Sequence, residues 1–242
     1  EPIVVTVTQS GYIKHVPLEM YKSQFRGGTG IRAAQVKEED VVDQMFVTRN
    51  LDHLLFFTNK GKVHWLKAYM VPEASRYAKG SHLNNVLQLD KEERITSVLP
   101  IKSFSDNFHL LFSTKKGGLK KTHLTEFDNP RKGGILAIKL HEGDDVVSVR
   151  LCKPGMKFIL ASKNGRAVHF EENDVREMGR SATGVRGMRL LEGDEIVGLE
   201  VADGDLLTVT ENGFGKRTLV NEYRLITRGG KGVRNIKVTE KM

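Results

Sequence analysis

One cysteine, Cys152, stands in 242 residues, so no disulfide can form within the chain. Lone cysteine usage of this kind favours a reducing compartment, the cytoplasm. The opening stretch "EPIVVTVTQSG" lacks the positive flank and small-residue cleavage site of a secretory signal. No apolar run approaches the ~20 residues needed to cross a bilayer. A thiolate metal centre is ruled out by the cysteine count, and the eight histidines are scattered without HExxH spacing, so no metal and no cofactor is expected. "RGGKGVR" at 228–234 is not a nucleotide-binding P-loop, because Lys231 is followed by Gly232 instead of Ser or Thr and the four-residue spacer is missing. Aromatics are scarce, at 7%, and Phe46, Phe56, Phe57, Phe112, Phe158 and Phe170 lie inside apolar runs, where they read as core.

What the chain has is a repeat. Five segments share one pattern: "VVTVTQSGYIKHV" from Val4, "LLFFTNKGKVHWL" from Leu54, "LLFSTKKGGLKKT" from Leu110, "FILASKNGRAVHF" from Phe158 and "LLTVTENGFGKRT" from Leu206. In each, a hydroxyl residue precedes a glycine by three places: Thr8 and Gly11, Thr58 and Gly61, Thr114 and Gly117, Ser162 and Gly165, Thr210 and Gly213. Flanking β-branched and aromatic runs around such a glycine predict a hairpin, the glycine supplying positive φ. A second glycine follows at a nearly constant offset (Gly30, Gly80, Gly134, Gly184, Gly232), and then an acidic turn opens another apolar run at "EEDVV", "EERIT", "GDDVV" and "GDEIV". The recurrence of these acidic clusters at one place per repeat makes them turns and not catalytic carboxylate pairs.

A period of about 50 residues holding about four short strands predicts an all-β, propeller-like array. The repeats run approximately 1–50, 51–105, 106–154, 155–203 and 204–242, giving about five four-stranded blades, with a truncated six-bladed array as the alternative. Neighbours must stack to bury both faces of each small sheet, so residues 1–242 are read as a single domain.

The net charge of +8 points to a polyanionic partner. The basic residues gather in two series. One follows the turn glycines: Lys14 and His15, then Lys60, Lys62 and Lys67, then Lys115, Lys116, Lys120 and Lys121, then Lys163 and Arg166, then Lys216 and Arg217. The other surrounds the second glycines: Arg26 and Arg32, Arg76 and Lys79, Arg131 and Lys132, Arg180, Arg186 and Arg189, and Arg228, Lys231 and Arg234. Cations at equivalent places in an array are expected along one edge, where they can neutralise the phosphates of a duplex without reading its bases. The plainer alternative is a set of solvated hairpin tips, which does not account for the second series. Few exposed stacking platforms argue for a duplex over a single strand. "QFRGGTG", residues 24–30, fits either a phosphate cradle or a tight turn carrying a solvated arginine.

"QFRGGTG" is similar to the box motif QRRGGKG that marks the family of DNA gyrase A C-terminal domains. Gln24, Arg26, Gly27, Gly28 and Gly30 match, while Phe25 and Thr29 replace an arginine and a lysine. The resemblance extends over all five repeats, and "MGRSATGVRGMRLLEGDEIVG" at 178–198 looks very like that family's fourth repeat. It implies a β-pinwheel, a propeller-like disc whose blades share strands, with duplex DNA wrapped around a basic outer rim and the box, residues Gln24 to Gly30, helping to hold the bend that supports negative supercoiling. It also implies that this region is not itself an enzyme: strand cleavage and ATP use would belong to the rest of the gyrase A protein and to the gyrase B ATPase, which together make a type II topoisomerase. The related C-terminal domain of topoisomerase IV has a degraded box, so the two missing cations lean toward it, whereas the match at 178–198 favours gyrase. A propeller scaffold for acidic protein partners is the remaining alternative.

Overall fold

The computed structural model describes residues 1–21 and 40–239. The first repeat forms β1 (Pro2–Thr8), β2 (Tyr12–Pro17) and β3 (Val42–Arg49). The second forms β4 (His53–Thr58), β5 (Lys62–Lys67), a two-residue strand β6 (Ser81–His82) and β7 (Ile95–Ile101). The third repeats the plan with β8 (His109–Thr114), β9 (Gly118–His123), β10 (Ile135–Leu136) and β11 (Val146–Cys152). The fourth does so with β12 (Lys157–Ser162), β13 (Arg166–Glu171), β14 (Val185–Arg186) and β15 (Ile196–Val201). The fifth provides β16 (Asp205–Val209), β17 (Gly215–Leu219) and β18 (Val233–Arg234).

Sheets and repeats are offset from one another. The strand orders are β3-β1-β2-β6, β10-β5-β4-β7, β11-β8-β9-β14 and β15-β12-β13-β18, with β16-β17 as a two-stranded hairpin. Each four-stranded sheet therefore takes a hairpin and an outer strand from one repeat and a two-residue strand from the next. The protein is all-β with propeller-like, four-stranded blades that share strands. Four blades are complete among the described residues, and the fifth repeat contributes its hairpin.

By internal contacts the chain divides into two compact units, one of residues 1–58, 63–104 and 130–135, the other of 59–62, 105–129 and 136 onward. The core of the first gathers Ile3, Val5, Val7, Ile13, Leu54, Phe56, Leu66 and Val98. That of the second gathers Leu111, Leu119, Phe158, Leu160, Val168, Phe170, Met188 and Leu199. Inner strands such as β1 and β8 are buried at nearly every position, on both faces, which is why their sequences read as continuous apolar runs without alternation. The phenylalanines expected in the core are there, Phe46 alone being only partly buried. Cys152 packs as a small apolar residue in the second core: burial and the nearby Glu172 carboxylate push its thiol up to about 12, against the opposing pull of Lys121. Among the described residues no helix is long and apolar enough to cross a membrane.

Both glycine signals have a mechanical cause. The turn glycines, Gly117 for example at φ +93°, sit in the left-handed region and close the hairpin by donating their N–H to the hydroxyl residue's carbonyl, 3.0 Å for Gly117 to Thr114. The second series marks where a loop crosses the preceding hairpin: a Cβ on Gly184, at φ +96°, would run into the carbonyl oxygen of Leu119. Gly80 and Gly232 make the same approach to Ile13 and Ala167.

Candidate nucleic-acid interface

The hydroxyl three places before each turn glycine is a hydrogen-bonding hub. Thr8, Thr114 and Ser162 accept the N–H of Tyr12, Gly118 and Arg166 at 3.1, 3.0 and 3.3 Å, pinning the turn. The strand register slips beside the hydroxyl residue in all four sheets, the signature of a β-bulge. The acidic turn completes the arrangement. Asp194 accepts the Ser162 hydroxyl at 2.7 Å and the Asn164 N–H at 2.9 Å, Asp144 accepts the Lys116 N–H at 2.9 Å, and Glu93 accepts the Thr58 hydroxyl at 3.0 Å. Asp40 accepts the Ser10 N–H at 2.9 Å. Burial raises its carboxyl, but the N–H groups of Ser10 and Val41 and the hydroxyls of Thr8 and Ser10 outweigh that and hold it below the ordinary carboxylate range. These acidic residues are thus clasps of the hairpin turn.

The turns so fixed carry exposed cations. Lys60, Lys115, Lys116, Lys163, Lys216 and Arg217 are exposed, and Lys62 is half-buried. On the loops and strands arriving from the next repeat, Arg131, Lys132, Arg186, Arg189, Lys231 and Arg234 are exposed. Several are braced by acids: Lys60 with Asp145 at 3.4 Å, Lys115 with Glu195 at 3.2 Å and Arg217 with Asp205 at 3.2 Å. Arg186, Arg189, Lys231 and Arg234 have no carboxylate partner among the described residues. Lys79 lies over the Tyr12 ring, 4.0 Å from its centroid, and Arg76 over Tyr77.

Three lysines expected on the basic edge are instead interior. Lys14 donates to the carbonyls of Ser75, Arg76 and Ala78 at 3.1, 2.6 and 2.9 Å, and Lys120 to those of Ala137, Gly179 and Arg180 at 2.6, 3.0 and 2.9 Å. Burial lowers the Lys14 ammonium and drives Lys120 down to about 7, Glu126 opposing and Arg180 adding to that fall. Lys121 is buried against Glu172, its ammonium 2.6 Å from the carboxylate and 3.1 Å from the carbonyl. The reason is the shared-strand design: the loop from the next repeat lies over the second hairpin strand and presents carbonyl oxygens to whatever points at it. His15 and His169 do the same work, on the carbonyls of Val71 and Tyr223. Lys67 is misplaced in a different way. It pairs with His53 at the end of β4–β5 away from the turn and donates to the Leu51 carbonyl at 3.2 Å.

Three loop and turn arginines act partly as struts. Arg166 donates to the carbonyls of Lys231 and Gly232, Arg180 to that of Leu136, and Arg228 to those of Asp174 and Arg186. The expected box residues Gln24, Phe25, Arg26, Gly27, Gly28, Thr29 and Gly30, and also Arg32, lie outside the described residues. Lys139, exposed beside the β8–β9 turn, is not among the expected cations. It sits five residues beyond its second glycine, as Arg189 does, and counting that offset in every repeat finds it.

A family profile described as "DNA gyrase C-terminal domain, beta-propeller" matches residues 2–49, 52–102, 109–153, 157–203 and 204–241, one match per repeat. The chain is 46% identical to the DNA gyrase A protein of Escherichia coli, over all of this chain and 28% of that protein, so it spans less than a third of its relative's length. Among solved structures, a DNA gyrase A C-terminal domain superposes with a TM-score of 0.80 at 31% identity, over 100% of this chain and 80% of the other. The C-terminal domain of a DNA topoisomerase IV gives 0.80 at 32%, over 97% and 72%. With one profile match for each hairpin, clasp and incoming loop, the chain belongs to the DNA gyrase C-terminal domain family.

Proposed function

We propose that this chain is the non-catalytic DNA-wrapping domain of a gyrase A protein, acting in the cytoplasm within a type II topoisomerase built from the rest of gyrase A and the gyrase B ATPase. The observation that supports this reading most directly is the recurrence of exposed cations at two equivalent places per repeat, on the clasped turns and on the incoming loops. Lys60, Lys62, Lys115, Lys116, Lys163, Lys216 and Arg217 form the first group. Arg131, Lys132, Arg186, Arg189, Lys231 and Arg234 form the second, with Lys79, Arg166, Arg180 and Arg228 contributing charge where their other bonds permit and Arg32 assigned to the same group from its place in the sequence. Bending even 20–30 base pairs by 40–90° costs on the order of 1–6 kcal/mol, so a wrapping surface needs many phosphate contacts to offset it. A repeat supplies them in series, without base readout.

The box, Gln24 to Gly30, is assigned the direction of the wrap more than its strength, because the other cations persist without it. Duplex affinity that falls about 10³- to 10⁵-fold between roughly 50 and 200 mM salt, with little sequence preference, is expected if six to ten phosphates are engaged. Ligation of a nicked circle in the presence of the domain should shift its linking number, and Arg26→Ala should reduce that shift more than it reduces affinity. Salt-independent binding would instead favour a scaffold for protein partners.

A further inference from the structure

At the β8–β9 turn, the side chain that closes the equivalent junction in the sheets of β1–β2 and β12–β13 is missing. In the sheet of β12 and β13, the fourth residue after the turn hydroxyl is Arg166, whose guanidinium lies across the incoming loop on the carbonyls of Lys231 and Gly232. In the sheet of β1 and β2 that place is held by Tyr12, its ring edge-on to His82 with centroids 5.3 Å apart. In the sheet of β8 and β9 it is Gly118. A cleft of about 240 Å³ opens there, between the turn and residues 183–186 of the next repeat. Lys116, Lys139, His141 and Arg186 line it and are all exposed. The carboxylate in its wall, Asp144, is buried and already accepts the N–H groups of Lys116 and Asp145, both at 2.9 Å. Lys116 is steered by the Glu142 carbonyl, 2.6 Å from its ammonium. Lys139 and Arg186 have no carboxylate partner among the described residues.

We propose that this cleft seats one backbone phosphate of the bound duplex, with Lys139 and Arg186 as its cations. The inference rests on the DNA-wrapping reading and sharpens it: most cations of the repeat act through a diffuse field, whereas here the absence of a side chain at Gly118 leaves room for an anion. An anion fits this chemistry better than a cation does, because the only wall carboxylate is capped by N–H donors and the free charges are positive. The charge-assisted bonds of an ammonium and a guanidinium to one phosphate are the stronger kind, and their directionality would fix the register of the duplex on this blade.

The decisive variant is Gly118→Arg, which adds a positive charge while filling the cleft. Tyr12 and Arg166 hold the same place four residues after Thr8 and Ser162, but a Cβ at Gly118 would come within 2.8 Å of the Thr114 hydroxyl, so the variant folds only with a small shift of that side chain. The readout is the slope of log affinity against log salt for a duplex long enough to span the domain, with circular dichroism as the check on folding. A seated phosphate predicts that Gly118→Arg lowers the slope by about 0.9, so the affinity ratio between roughly 50 and 200 mM salt shrinks about 3.5-fold. Lys139→Ala should do the same, and the double variant no more than either alone. Lys157→Ala, an exposed lysine at the end of β12 away from the turn, should leave the slope unchanged. A slope that is unchanged or steeper in Gly118→Arg would overturn the seat, and so would a Lys139→Ala slope equal to wild type if the arginine variant fails to fold. A wild-type slope near zero would instead bring down the DNA-wrapping reading itself.

Discussion

Lys120 is the most consequential buried cation, and its replacement by methionine tests the account of the shared-strand junction. In the fold its ammonium is fully enclosed and bonded to three carbonyls, and burial takes it from the ordinary 10.5 to about 7. A lysine depressed in the folded state binds a proton more readily when unfolded, so between pH 7 and 10.5 stability rises with pH. The penalty is fully present below 7, fades through that window and is gone above it. Each pH unit inside the window is worth up to about 1.4 kcal/mol, and integration from pH 6 to pH 9 gives about 3 kcal/mol. Lys120→Met keeps most of the apolar stem and removes the titration while leaving the three carbonyls without their donor. The variant should fold, because the equivalent buried position in the next sheet is Val168. Urea unfolding followed by far-UV circular dichroism, on both proteins at pH 6 and pH 9, gives two stability differences. Wild type should gain about 3 kcal/mol on the variant from the lower to the higher pH, all other titrating groups being common to both. A difference that does not change with pH, or that moves in favour of methionine, would refute the reasoning.

Gly184→Ala should lower stability by more than about 2 kcal/mol in thermal or urea unfolding, since a left-handed backbone costs a non-glycine residue about 1–2 kcal/mol and the new Cβ also meets the Leu119 carbonyl. Gly230→Ala, where nothing lies within 4 Å and φ is not positive, should stay within about 0.5 kcal/mol of wild type. Asp194→Ala removes three hydrogen bonds to one carboxylate, from Ser162, Asn164 and Glu195, and should lose about 2–3 kcal/mol. Ser162→Ala should then cost much less in the Asp194→Ala background than alone, a coupling that a double-mutant cycle measures.

The hairpins were legible because everything that makes them is local. A hydroxyl, a glycine three places on and an apolar run to each side lie within a dozen residues, and the clasping carboxylate recurs at its own fixed place in the repeat. Strand sharing was not legible from spacing. β14 pairs with β9, more than 60 residues earlier, and is only two residues long, with no pattern of its own beyond the glycine before it. The resemblance to a strand-sharing family supplied what periodicity could not. Inside and outside were equally hard to assign on the second hairpin strands. β9 reads "GLKKTH", and alternation would expose Lys120 or Lys121, yet both are buried because each face of that strand is covered. Lys116, four residues before Lys120, is exposed.

That contrast explains how one composition serves two purposes. An ammonium survives in the interior only where oxygens converge on it, the Glu172 carboxylate and carbonyl in the case of Lys121, and carbonyls converge on Lys14 and Lys120 because a loop from the next repeat passes within contact distance. The loop can pass so closely only because Gly80 and Gly184 lack side chains at the crossing. The second glycine and the buried lysine are therefore one device, which ties each repeat to its successor. His64 and Val168 fill the lysine's place in the other two sheets, so the device depends on the crossing and not on the charge. Cations a few residues to either side, on the turn and on the incoming strand, have no such carbonyl triplet, and they are the ones left to meet a polyanion. Substitution should separate the two classes by readout: loss of the interior set moves stability and its pH dependence, while loss of Lys163, Arg189 or Arg234 moves the salt slope of duplex binding and leaves unfolding nearly unchanged.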